Sequence, residues 1–110
     1  SLPLPAKVSI LHRVSGALLF LALPFLLFNL DRSLNSAEGY ADAAAFFGQP
    51  LVKLLVLVLV WSYAHHFCAG IRYLLLDLHI GLDRIPANRS SVLVLGASLV
   101  LTAWVGVRLW

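Results

Sequence analysis

Three stretches of the chain carry no Asp, Glu, Lys or Arg: Val14 to Leu30, Leu54 to Ile71 and Ser90 to Val107, of 17, 18 and 18 residues. Nothing else in the sequence restricts the fold as much. A helix rises ~1.5 Å per residue against a hydrocarbon core ~30 Å thick, so each run can cross a bilayer if its helix continues a little into the flanks. A chain of 110 residues has too little interior to hide the remaining apolar surface, since 61% of its residues are hydrophobic, 12% are charged and the mean hydropathy is +0.92. On that balance a soluble monomer is nearly excluded, and lipid is the expected solvent.

The expected fold is an all-α membrane protein, a single anchor domain over 1–110 with three transmembrane helices at roughly 8–31, 51–77 and 90–110. The first run follows Lys7 and Arg13 and invites comparison with a signal peptide, but it is longer than the usual apolar segment and lacks a clean small-x-small cleavage site. Pro24 removes one backbone bond within it, which membrane helices tolerate as a kink. Lys53 and Arg72 are expected to snorkel from the ends of the second span. The first linker, Asp31 to Pro50, offers a short interfacial helix from Tyr40 and the Ala43 to Phe47 stretch; the second, Asp77 to Arg89, reads as a compact polar loop. The chain has no Met and begins at Ser1, which suggests a processed or missing N-terminus.

With three spans, the N-terminus and the second linker share a side. That side carries Lys7, Arg13, Arg72, Arg84 and Arg89, against Arg32, Lys53 and Arg108 on the other, which places the N-terminus in the cytoplasm or matrix. The charges stand singly between apolar runs, so the net +3 makes no clustered basic face for nucleic acid. Cys68 has no second cysteine to pair with and reads as a small buried side chain. No phosphate-binding loop, nucleophile elbow, zinc spacing or pair of catalytic carboxylates is present.

An ionisable side chain within a span is costly and marks a candidate site. His65 and His66 are such residues in the second span. Two readings stand for them: a neutral imidazole bonded to a neighbouring helix, or a ligand. Ser62, His66 and Gly70 recur at i, i+4 and i+8 and form a stripe of small residues around His66, which suits either a flat macrocycle against the backbone or tight helix packing. Ser9, His12, Arg13 and Gly16 share one face at the start of the first span, at the depth of an interface. Arg and His there are either anchors or donors to carboxylates and carbonyls; Arg13 can stabilise charge but does not act as an acid. Arg72 and Asp77 are five residues apart, off helical register, so interfacial solvation is expected for both. His79 reads as solvated.

The run Ser9-Ile10-Leu11-His12-Arg13-Val14-Ser15-Gly16 resembles the S-x-x-H-R-x-[ST]-G motif of the succinate dehydrogenase cytochrome b subunit family, a membrane anchor of respiratory complex II. His66-Phe67-Cys68-Ala69-Gly70-Ile71-Arg72-Tyr73, followed by Asp77, is similar to that family's H-x-x-x-G-[apolar]-R-[HF]-x-x-x-D segment. Both motifs stand in the family's order and, with the third span, cover essentially the whole chain. The resemblance implies a three-helix anchor that forms a larger bundle with a second membrane anchor subunit and docks an iron–sulfur subunit and a flavoprotein subunit. It also implies haem b ligated by His66, with His12 and Arg13 at its propionates and Ser9 and Arg13 lining a ubiquinone pocket. Succinate oxidation itself would lie outside this chain. Such a protein resides in a bacterial inner membrane with its N-terminus cytoplasmic, a mitochondrial inner membrane being the second choice.

Tyr73 departs from the His or Phe usual at its position, and Leu76 from an aromatic residue or Met. Quinone reduction also consumes protons, and Asp77 or a partner residue is the candidate carrier. Two other readings compete: a haem-free structural anchor of the same complex, and an unrelated small transporter. The transporter ranks last, because it would place polar residues near the bilayer midplane along several helices, and the first and third runs offer little there beyond Asn29, Ser98 and Thr102.

Overall fold

The computed structural model describes residues 2–110, which form four helices: α1 (Leu4–Asn35), α2 (Ala37–Phe47), α3 (Pro50–Asp77) and α4 (Arg84–Leu109). Three of them, α1, α3 and α4, are long and apolar enough to cross a membrane. Each runs beyond the charge-free stretch that defines it, and the reasons are local. α1 passes through Pro24 unbroken and stops at Ser36, whose backbone is extended and whose hydroxyl accepts from the Gly39 amide at 2.9 Å, capping α2. That cap, with Glu38 in the first turn, starts α2 at Ala37 and makes it eleven residues long, more than the short helix expected from Tyr40 and Ala43 to Phe47. α3 opens on Pro50, whose missing amide costs nothing in a first turn.

The second linker differs most from expectation. α4 begins at Arg84, so the polar loop contracts to 78–83. Pro86 lies in the first turn of α4, where amides have no helical partner, and the Ala87 amide already bonds to the Asp83 carbonyl at 2.9 Å. At the end of α3 the Ile80 amide reaches the Leu75 carbonyl at 3.0 Å and the His79 amide reaches Leu76 at 2.9 Å. This is a Schellman cap with His79 (φ 60°) in the left-handed position that usually takes glycine.

α3 packs against both α1 and α4, and α2 packs on α1. Pro3 and Pro5 share a groove with Asn88, whereas the Lys53 ammonium lies 5.3 Å from the Trp110 ring. The starts of α1 and α4 are therefore at one end, and the start of α3 is at the other. One residue from each long helix, Val8, Ala69 and Val94, forms the buried apolar cluster. Apart from Asn29, His65 and Arg72, the buried polar side chains are small, with Ser15, Ser62, Ser91 and Ser98 fully buried. Each of these serines bonds back to a carbonyl of its own helix three or four residues earlier, at 2.8–2.9 Å. Large apolar groups such as Phe20, Leu21, Leu93 and Val107 point outward. Small residues inside and bulky ones outside is the distribution expected when lipid is the solvent and close backbone approach drives association.

Candidate functional site

The site lies where the N-terminal part of α1 meets the C-terminal half of α3. Its centre is His66, and Gly16 is what admits it: a Cβ on Gly16 would sit 2.9 Å from His66 Cε1 and 3.3 Å from Nδ1. His66 Nδ1 is 3.0 Å from the His12 carbonyl and 3.3 Å from Ser15 Oγ. A carbonyl oxygen only accepts, so Nδ1 is the donor, and in the neutral ring this tautomer leaves Nε2 with its lone pair. The Ser15 hydroxyl donates to the same carbonyl at 2.9 Å, which leaves its oxygen free to accept a share of the Nδ1 proton. His12 then stacks on His66 with ring centres 4.1 Å apart and planes 5° apart. The Tyr73 ring meets His12 edge-on at 5.1 Å, and its hydroxyl is buried with no hydrogen-bond partner among the described residues.

The residues singled out in the sequence fall into two groups. His12, Gly16 and His66 come together, as does Gly70, which faces the edge of the His12 ring. Along this stretch the small-residue stripe is covered by α1, which is the helix-packing alternative. Ser9 is half-buried and Arg13 exposed on the same end of α1, and neither is bonded to another described residue. Asp77 is exposed at the end of α3 without an ion pair. Ser15 was visible in the first motif but without a role; nothing in its own helix showed that it would meet His66.

Two expectations are corrected, those for Arg72 and Cys68. Arg72 is neither solvated nor snorkelling: it is 5% exposed, and its Nε donates to Ser90 Oγ at 2.9 Å, tying α3 to α4. The sequence cannot set the register between two helices, and that register decides where the guanidinium goes. Cys68 is half-buried, not buried. His65 is outside the His12–His66 stack, fully buried and stacked on Trp61 at 5.2 Å; the Val8 backbone is a polar neighbour, and neither ring nitrogen makes a hydrogen bond of good geometry.

Fold and site together define a multi-pass helical membrane protein whose polar centre is built from histidines of two adjacent spans. Residues 1–105 match the family described as "Succinate dehydrogenase/Fumarate reductase transmembrane subunit". The chain belongs to that family. It is 33% identical to a succinate dehydrogenase cytochrome b556 subunit of Coxiella burnetii, over 98% of this chain and 87% of that one. It is 29% identical to the proteins of that name in Paracoccus denitrificans, over 91% and 77% of the two chains, and Rickettsia prowazekii, over 88% and 75%.

Proposed function

We propose that this chain binds haem b jointly with a second membrane anchor subunit and helps to form the ubiquinone-reduction site of succinate:quinone oxidoreductase. The observation that carries the reading is the hydrogen bond from His66 Nδ1 to the His12 carbonyl. An axial imidazole needs its distal nitrogen unprotonated, and metal-bound histidines are commonly held in that tautomer by a carbonyl on the other nitrogen. His66 therefore fits an axial ligand, which would hold the iron through Nε2. Haem, when bound, supplies a one-electron carrier inside the membrane.

The chain's own residues divide the remaining work. His12, whose carbonyl takes the ligand's hydrogen bond, and Arg13 next to it supply donors for the propionates, and the planar guanidinium suits a carboxylate. Ser9 and Arg13 lie on the same end of α1 and hold the carbonyl oxygens of ubiquinone, Ser9 as a neutral donor and Arg13 as a charged one. Arg13 keeps its proton, so the protons come from Asp77, a partner residue or water. Adjacent histidines on a helix point ~100° apart, His79 is exposed in the second linker, and the His12 ring lies flat on the His66 ring with centres 4.1 Å apart, which does not present the two imidazoles to opposite sides of one iron, so no second histidine of this chain is placed to ligate with His66. The second anchor subunit supplies that ligand. The iron–sulfur and flavoprotein subunits dock on the face that carries the N-terminus, and the succinate-oxidising site belongs to them. The five basic groups at that end favour the cytoplasmic face of a bacterial inner membrane.

One observation favours a second reading, a haem-free anchor of the same complex: the His66 ring is already covered by His12 at 4.1 Å and backed by Gly16. Ligation in the assembled complex decides between them. The complex should show a low-spin haem with two axial ligands, and this chain expressed without its partner should not; a low-spin bis-histidine spectrum from the chain alone contradicts shared ligation. Absence of any haem from a fully assembled native complex selects the structural anchor.

A further inference from the structure

Arg72 is a buried cation without a counter-ion. It is 5% exposed, in a chain whose surroundings are lipid, and the one ion pair among the described residues is Arg32–Asp42 at the other end of the molecule. Its partners are neutral: Ser90 Oγ at 2.9 Å from Nε, the Ala87 carbonyl at 3.5 Å from Nη2, and the Tyr73 ring, whose centre is 5.6 Å from Cζ. A guanidinium has five N–H donors, so most of its bonding capacity and all of its charge are unanswered. Removing a charge from water is costly unless an opposite charge joins it.

The place for that charge is beside it. Arg72 lines a groove of about 420 Å³ between α3 and α4, together with Arg89 and otherwise mainly apolar groups including Leu75, Leu76, Ile80 and Leu93. Neither Asp77 nor Asp83, the acids at this end, lines the groove. Two guanidiniums over an apolar floor, at the end of the spans where Arg84 also lies, match one kind of molecule: a phosphate ester with hydrocarbon attached. Arg89 projects from the first turns of α4, while Arg72 sits deeper, so the anion belongs at the mouth and the chain along the leucines. We propose that this groove binds an anionic phospholipid, its phosphate between Arg72 and Arg89 and an acyl chain along the α3–α4 seam. Basic pockets between membrane helices on the cytoplasmic side have this chemistry. The site is separate from the His66 centre, which lies on the α1 side of α3.

The test uses the whole complex, stripped of lipid in detergent and reconstituted into nanodiscs of phosphatidylcholine with a minor fraction of phosphatidylglycerol. Lipid that survives re-extraction is counted by native mass spectrometry. Wild type should retain phosphatidylglycerol in preference to phosphatidylcholine, and inorganic phosphate should not displace it. Arg89→Gln, a change at an exposed position, should lower retention about fivefold. Arg72→Lys, which keeps the charge but loses the planar fork, should lower it less. Equal retention of the two lipids by wild type overturns the proposal, as does displacement by inorganic phosphate, which would make this a free-anion site. Undiminished phosphatidylglycerol retention in both variants overturns it too. If Arg72→Lys does not assemble, Arg89→Gln alone decides.

Discussion

His66 rests on Gly16 so closely that one methyl group would dislodge it: a Cβ at position 16 would lie 2.9 Å from His66 Cε1. The ring cannot simply swing away, because Nδ1 is held by the His12 carbonyl and Ser15 Oγ. The two motifs of the sequence therefore meet at one contact, the glycine of the first forming the seat for the histidine of the second.

Gly16→Ala sets two effects against each other. Alanine favours the helix by ~1 kcal/mol, whereas overpacking a closed interface costs ~1–3 kcal/mol. Overpacking should win, since the ring must give up its hydrogen bonds to move. The thermal midpoint of the purified complex should fall, and haem per flavin should fall with it; a variant with full haem and an unchanged midpoint would show that the seat is not needed.

His65→Leu should behave oppositely to changes at His66. The imidazole is fully buried with the Val8 backbone as a polar neighbour and no hydrogen bond of good geometry, so much of a desolvation cost of ~1–3 kcal/mol stays uncompensated, a cost that leucine does not carry. Stability should be unchanged or higher, and the haem spectrum intact. Loss of haem in His65→Leu would move the ligand to the neighbouring residue.

His79→Gly tests the cap of α3. A side chain at φ 60° is strained by ~1–2 kcal/mol, and glycine is free of that strain but more disordered when unfolded. A gain in stability of up to ~1 kcal/mol is expected from denaturation of the complex. A loss would mean that the exposed imidazole makes a contact in the assembly worth more than the strain.

Much of this was legible in the sequence and some was not, and the difference is physical. Charge-free length against bilayer thickness fixes the three spans without any knowledge of packing. Helical spacing likewise places Ser9, His12, Arg13 and Gly16 on one face. Neither tells how α3 is rotated against its neighbours. Hence the seat of His66 on Gly16, the stack of His12 on His66 and the burial of Arg72 against Ser90 depend on a helix rotation that residue spacing does not set. The start of α4 was missed for a local reason: Arg84, Pro86 and Asn88 read as loop residues, but a proline in a first turn sacrifices no bond.

The quinone assignment is tested at Ser9 and Arg13. Hydrogen bonds to charged groups are worth ~1.5–3 kcal/mol and neutral ones ~0.5–1.5 kcal/mol, so Arg13→Leu should impair quinone turnover more than Ser9→Ala. Both should spare succinate oxidation by an artificial acceptor that takes electrons upstream of the membrane. The quantity to measure is the ratio of the two activities in assembled complexes, because Arg13 is also proposed to hold the propionates. If that ratio matches wild type in both variants, the quinone binds elsewhere.

The most direct test of the central claim is the reduced-minus-oxidised absorption spectrum of the purified complex, recorded for wild type and for His66→Leu. Wild type should show a b-type haem in stoichiometric amount with the flavin, and His66→Leu should lose that signal or convert it to a five-coordinate form while the subunits remain assembled. An unaltered low-spin spectrum in assembled His66→Leu, or no haem band in wild type, would contradict the assignment of His66 as the axial ligand.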